Sequence, residues 1–132
     1  MPRTAMLEVN LQTLCRLIDL AEEFHAHQNV DITEEPETID DWASEMLESH
    51  EENPFLEEFR SVMDGLNPDE QQQIVALLWL GRGDYELDEW DEALEYAAEA
   101  WTPTTADYLM AHPMLADHLS TGMEAFGLYC ED

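Results

Sequence analysis

The sequence predicts an all-α fold, a compact irregular bundle of about five to seven helices around a central apolar helix near residues 68–81. Three observations carry that prediction. Apolar residues recur at spacings of three and four, and no run of alternating β-branched residues suggests a strand. Helix starts and stops are marked by asparagine, proline and glycine where such signals belong. The segment Ile74 to Leu80 is apolar all round, as a helix enclosed by its neighbours is.

The first helix is expected from about Glu8 to about His27. Leu7, Leu11, Leu14, Ile18 and Ala21 form one stripe, widened by Leu17 and Phe24. Residues 28–38 are polar and acidic, include Pro36, and read as a mobile loop. A second helix is expected after Thr38, with Asp41 at capping-box spacing and Trp42, Met46 and Leu47 inside, ending near His50. Asn53-Pro54 then caps and opens a third helix carrying Phe55, Leu56, Phe59, Val62 and Met63, with Gly65 as its stop.

Asn67-Pro68-Asp69-Glu70 is the clearest start signal. Asn67 caps, Pro68 opens, and two carboxylates meet the positive end of the helix dipole. This central helix is expected to end at Gly81. Gly81-Arg82-Gly83-Asp84 follows as a tight connection, in which both glycines are expected to supply unusual backbone angles. The next helix is expected from about Asp88 to Trp101, with Trp90, Ala93, Leu94, Ala97 and Trp101 inward. Thr104 and Asp107 start a short helix with Tyr108 and Leu109, and His112-Pro113 restarts the chain. Leu115, Leu119, Met123 and Phe126 line the last helix, and Gly127-Leu128 fits a Schellman ending.

A chain of 132 residues fits one domain, 1–132, with room for a real core. Its charge is far from ordinary. Thirty-two acidic residues face four arginines and no lysine, a formal net charge of -28. Such a chain repels nucleic acids and anionic membranes and attracts cations and basic proteins. Adaptation to a high-salt cytoplasm would produce the same imbalance. An apolar content of 45% and four tryptophans argue for a folded chain despite that charge. No h-region of a signal peptide is visible, and the longest apolar run is too short to cross a bilayer. Cys15 and Cys130 could pair, but Cys15 lies in an apolar helical stretch where a reduced thiol is the usual state. A soluble, reduced, cytoplasmic protein is expected.

The densest candidate site is the acidic segment 84–95. Asp84, Glu86, Asp88, Glu92 and Glu95 fall at positions 1, 3, 5, 9 and 12 of an EF-hand-like window, where Ca²⁺ gathers oxygen ligands. Glu89 stands where the sharp turn needs glycine, and Asp91 where an apolar residue packs. The plainer account is an acidic first helical turn. Gly81, Arg82, Gly83 and Trp90 form a second candidate, as a structural turn or an interaction site. The histidine pairs His25/His27 and His112/His118 lack zinc spacing, and no nucleotide-binding or nucleophile motif is present.

The stretch DGLNPDEQQQIVALLWLGRGDYELDEWDE, residues 64–92, and the later TADYLMAHPMLADHLSTGMEAFG, residues 105–127, resemble the two signatures of an uncharacterised family of small acidic bacterial proteins. The segment from about Asp31 to Asn53 resembles its variable part. The resemblance implies a single helical domain and, because the family is a domain of unknown function, no activity, cofactor or catalytic residue.

Three functions therefore stay open. The first is a non-enzymatic adaptor whose acidic surface engages a basic protein, nucleic-acid mimicry being one form of it, with no direct nucleic-acid or membrane binding. The second is a Ca²⁺-binding protein using residues 84–95. The third is an enzyme with a buried carboxylate or histidine, for which Arg82, Asp84 and Trp90 are the first residues to test.

Overall fold

The computed structural model describes residues 7–27 and 53–130. The expected acidic loop, the helix after Thr38 and Arg3 lie outside the described residues. Within them the protein is an all-α bundle: α1 (Leu11–His27), α2 (Pro54–Asp64), α3 (Pro68–Arg82), α4 (Trp90–Ala100), α5 (Thr105–Met110) and α6 (Leu115–Ala125). A 3-10 turn, Leu87–Glu89, leads into α4. No strand occurs among the described residues.

The helix boundaries follow from their caps. The Asn10 side chain accepts from the Gln12 amide at 2.7 Å and starts α1 three residues later than the sequence pattern suggests. Asn53 accepts from the amides of Phe55 and Leu56 and starts α2. Asn67 and Glu70 form a reciprocal capping box, with bonds of 2.9 and 3.1 Å, ahead of Pro68.

At the other end, α3 runs through Gly81 and closes one residue later than expected. Gly83 adopts φ 91°, its amide donates to the Leu80 carbonyl, and the Asp84 amide donates to the Trp79 carbonyl. That pair of bonds is a Schellman ending. The same pattern closes α6, with Gly127 at φ 76° and the Leu128 amide donating to Met123.

The expected role of Gly81 is corrected here. It has helical backbone and no positive φ. A Cβ at Gly81 would lie 1.7 Å from the His118 carbonyl oxygen of α6. One turn away on the same seam, a Cβ at Gly122 of α6 would lie 2.5 Å from the Leu77 carbonyl oxygen of α3. Each helix thus contributes one glycine so that the two backbones can touch, a spacing no larger residue permits.

The core gathers around that seam. Ile74 to Leu78 of α3 are essentially solvent-free, joined by Leu14, Leu17 and Phe24 of α1, Phe59 of α2, and Leu115 and Leu119 of α6. All six residues of α5 are buried, with Tyr108 at its centre. Trp90 lies in the same core, edge-to-face with Phe126 at 4.8 Å.

Several polar groups in and beside this core are paired across elements, whereas the buried Trp90 indole N–H has no hydrogen-bond partner among the described residues. The Trp79 indole donates to the Tyr108 hydroxyl at 2.9 Å, and the Trp101 indole donates to Gln71 at 2.7 Å. Asp107, 7% exposed, accepts from Arg60 Nε at 2.6 Å and ties α5 to α2.

Cys15 and Cys130 are joined by a disulfide, where a reduced Cys15 was the expectation. The apolar neighbourhood of Cys15 does not isolate it. The turn at Gly127 brings the chain back along α1 and sets the two Cα atoms 5.6 Å apart, within bridging range.

Candidate functional site

The turn that closes α3 also builds the most structured polar cluster on the surface. Gly83 reverses the chain, so Asp84 folds back over Arg82. Arg82 Nε and Nη2 both donate to Asp84 Oδ2, at 2.9 and 2.6 Å. The third edge of the guanidinium, Nη1, lies 3.0 Å from His112 Nε2. His112 Nδ1 lies 2.8 Å from the Tyr108 carbonyl oxygen.

These contacts determine the tautomer. A carbonyl only accepts, so Nδ1 carries the proton; a guanidinium only donates, so Nε2 offers its lone pair. His112 is therefore neutral. Its full burial pushes its pKa from 6.5 down to about 4, with the Arg82 charge acting in the same direction against the bond to Tyr108. His25 follows a related pattern: its Nε2 lies 3.0 Å from the Met110 carbonyl, and burial lowers its pKa. His112 is fully enclosed, whereas His25 is half-buried.

Beside the Arg82–Asp84 pair lies an open cleft of about 370 Å³, lined by Trp79, Arg82, Asp84, Tyr85 and Tyr96. Trp79 forms its floor. The rings of Tyr85 and Tyr96 stand 6.0 and 5.7 Å from that of Trp79, inclined at 33° and 66°. The three rings thus enclose a corner and do not stack flat. Tyr96 is 57% exposed, while Trp79 is 6% exposed.

The cleft opens onto a strongly acidic edge. From the turn through α4 the exposed residues include Asp84, Glu86, Asp88, Glu89, Asp91, Glu92, Glu95 and Glu99. Glu92 and Glu99 are the neighbours of Tyr96 one helical turn before and after it. The pKa of Tyr85 is raised, by partial desolvation first and then by Glu92, Tyr96, Asp84 and Glu89. The local field is negative despite the presence of Arg82.

The five proposed calcium ligands do not converge as one set. Glu86 and Asp88 come together with Glu89, a residue the motif assigned to the turn; their carboxylate oxygens lie within 4.8 Å of one another, all exposed. Glu89 also accepts from the Glu86 amide at 2.9 Å. Asp84 is engaged with Arg82, and Glu92 and Glu95 lie on α4 outside that cluster. Of the second candidate group, Arg82 lines the cleft, Gly83 makes the turn beside it, Gly81 serves the α3–α6 seam, and Trp90 is a core residue away from it.

Sequence reading missed the three aromatic residues of the cleft. Trp79 was read as core, which it also is. Tyr96 had a signal: it is an aromatic residue on the polar side of α4, flanked by glutamates, off the Trp90–Ala93–Ala97 stripe.

A family model described as "Protein of unknown function (DUF3775)" matches residues 56–128, which include α3, α4 and the whole cleft. No curated protein and no solved structure matches the chain.

Proposed function

We propose that this chain, which belongs to the DUF3775 family of proteins of unknown function, is a non-enzymatic adaptor that engages a basic protein through the acidic edge at residues 84–99. The observation that carries this reading is how the arginines are used. Arg16 pairs with Glu58, Arg60 with Asp107, and Arg82 with Asp84, so every arginine among the described residues is matched internally. The exposed carboxylates Glu92, Glu95 and Glu99 of α4 form a field of one sign. Such a field steers a basic partner toward it and sets association rate more than final affinity. Nucleic-acid mimicry is one form of this function, in which the carboxylates occupy a DNA-binding face.

The test is binding to poly-L-lysine across a salt series. Affinity should fall steeply with ionic strength, whatever the identity of the added ion. Neutralising Glu92, Glu95 and Glu99 to glutamine should slow association more than it speeds dissociation. Binding indifferent to salt and to those three changes would sink the reading.

The clustered carboxylates of Glu86, Asp88 and Glu89 favour a second reading, a divalent-cation site. Thermal unfolding in EDTA, Ca²⁺ and Mg²⁺ at matched ionic strength separates the two. A ligand at about 100 times its dissociation constant stabilises the fold by roughly 2.7 kcal/mol, so a Ca²⁺ site gives a large selective rise. Equal small rises in every salt reflect only relief of charge repulsion.

The Cys15–Cys130 disulfide bears on the compartment. Among the described residues no helix is long and apolar enough to cross a membrane. A disulfide persists in oxidising compartments and is rare in the cytosol. Thiol alkylation of freshly isolated protein therefore distinguishes the expected cytoplasmic setting from an oxidising one.

A further inference from the structure

We infer that the Trp79–Tyr85–Tyr96 cleft is an anchor pocket for a cationic side chain, arginine or lysine, projecting from the basic partner. This rests on the adaptor reading above and adds the place where that partner is gripped.

Three features of the cleft point to a cation. Its volume, about 370 Å³, lies at the small end of ligand clefts, suited to one side chain and its surroundings. Its walls are aromatic, and the negative face of an aromatic ring attracts a cation within about 6 Å of its centre. The rings meet Trp79 at 33° and 66°, so a group entering the corner meets ring surface from more than one side.

The charges around the cleft agree with the rings. Arg82 does not offer its charge to an anion, because two of its nitrogens are turned onto Asp84 and a third onto His112. Glu92 and Glu99 flank Tyr96, and Glu89 and Glu92 raise the negative potential at Tyr85. An anionic or purely apolar ligand would have to displace that field. A cation completes it.

The position also suits a partner's side chain. Tyr96 stands well out of the surface while Trp79 closes the floor, so the cleft is entered from the acidic edge itself. A basic protein steered to that edge arrives with its cations over the opening. Aromatic anchors of this kind carry a disproportionate share of interface affinity.

The test uses a labelled hexaarginine peptide, followed by fluorescence anisotropy at low and at physiological salt, with wild type, Tyr96→Phe and Tyr96→Leu. Phenylalanine keeps the ring face; leucine keeps apolar bulk without it. Tyr96 is exposed, so both variants should melt with the wild type. Tyr96→Phe should bind within about twofold of wild type and Tyr96→Leu roughly three- to tenfold more weakly. The Trp79 indole N–H resonance should shift on titration of the wild type. Equal binding by all three proteins would overturn the pocket and leave the acidic-surface reading intact. Equal weakening by both variants would also overturn it, since the hydroxyl and not the ring face would then matter. Failure of the wild type to bind the peptide at low salt would overturn both.

Discussion

The α3–α6 seam and the acidic edge at residues 84–99 meet at Arg82, and they are built in opposite ways. In the seam, two glycines let backbones touch, and the neighbouring side chains exclude water. Along the edge, the side chains project outward and carry one sign of charge. The seam tolerates almost no added atom. The edge tolerates nearly any change of shape and responds to changes of charge. The contrast teaches that this chain's stability and the charge of its surface are separable, although two residues divide them.

The largest expected effect lies in the seam. Gly81→Ala places a methyl group against the His118 backbone, which no side-chain rotation can relieve. It should destabilise by about 3 kcal/mol or more, and Gly122→Ala by about 2 kcal/mol, in urea unfolding. A loss under about 0.5 kcal/mol in both would show that the helices separate at little cost.

Next comes His112, the bolt between the two regions. Its folded pKa of about 4 lies below the ordinary 6.5, so the neutral form is the one the fold favours. Its contribution, on the order of 3 kcal/mol, is fully present above 6.5 and is lost as pH falls from there toward 4. The ring nitrogen resonances should still report a neutral imidazole with Nδ1 protonated at about pH 5. Titration of His112 near 6.5 would contradict its burial against Arg82.

Gly83→Ala should cost less, about 1 kcal/mol, since a methyl group there meets nothing and only the positive φ is strained. Comparing it with Gly81→Ala measures crowding against conformation two residues apart. Smallest of all, Glu95→Gln should change stability by less than about 0.5 kcal/mol, in the stabilising direction, because it removes one charge from a repelling set. A marked destabilisation would mean that the edge also supports the fold.

Much of the fold was legible because its signals are local. Asn53, Asn67 and Gly127 act at helix ends, where a cap depends on residues a few positions away. Ile74 to Leu80 announces its burial through composition alone. Three features were hidden because they depend on residues far apart in sequence. The role of Gly81 is set by His118, the state of Cys15 by Cys130, and the cleft by Trp79 meeting Tyr96. The acidic window is gathered only in part: Glu86 and Asp88 meet Glu89, while Asp84, Glu92 and Glu95 lie outside that cluster, because spacing along a charge-rich segment does not by itself fix which carboxylates converge.

The bridge from Cys15 to Cys130 spans 115 positions of the sequence. Covalently, the segment from Cys15 to Cys130 is thus a closed ring. A protease that cuts one peptide bond anywhere between these cysteines linearises the ring without releasing a piece. The nicked product should migrate as one species until a reductant parts it into two.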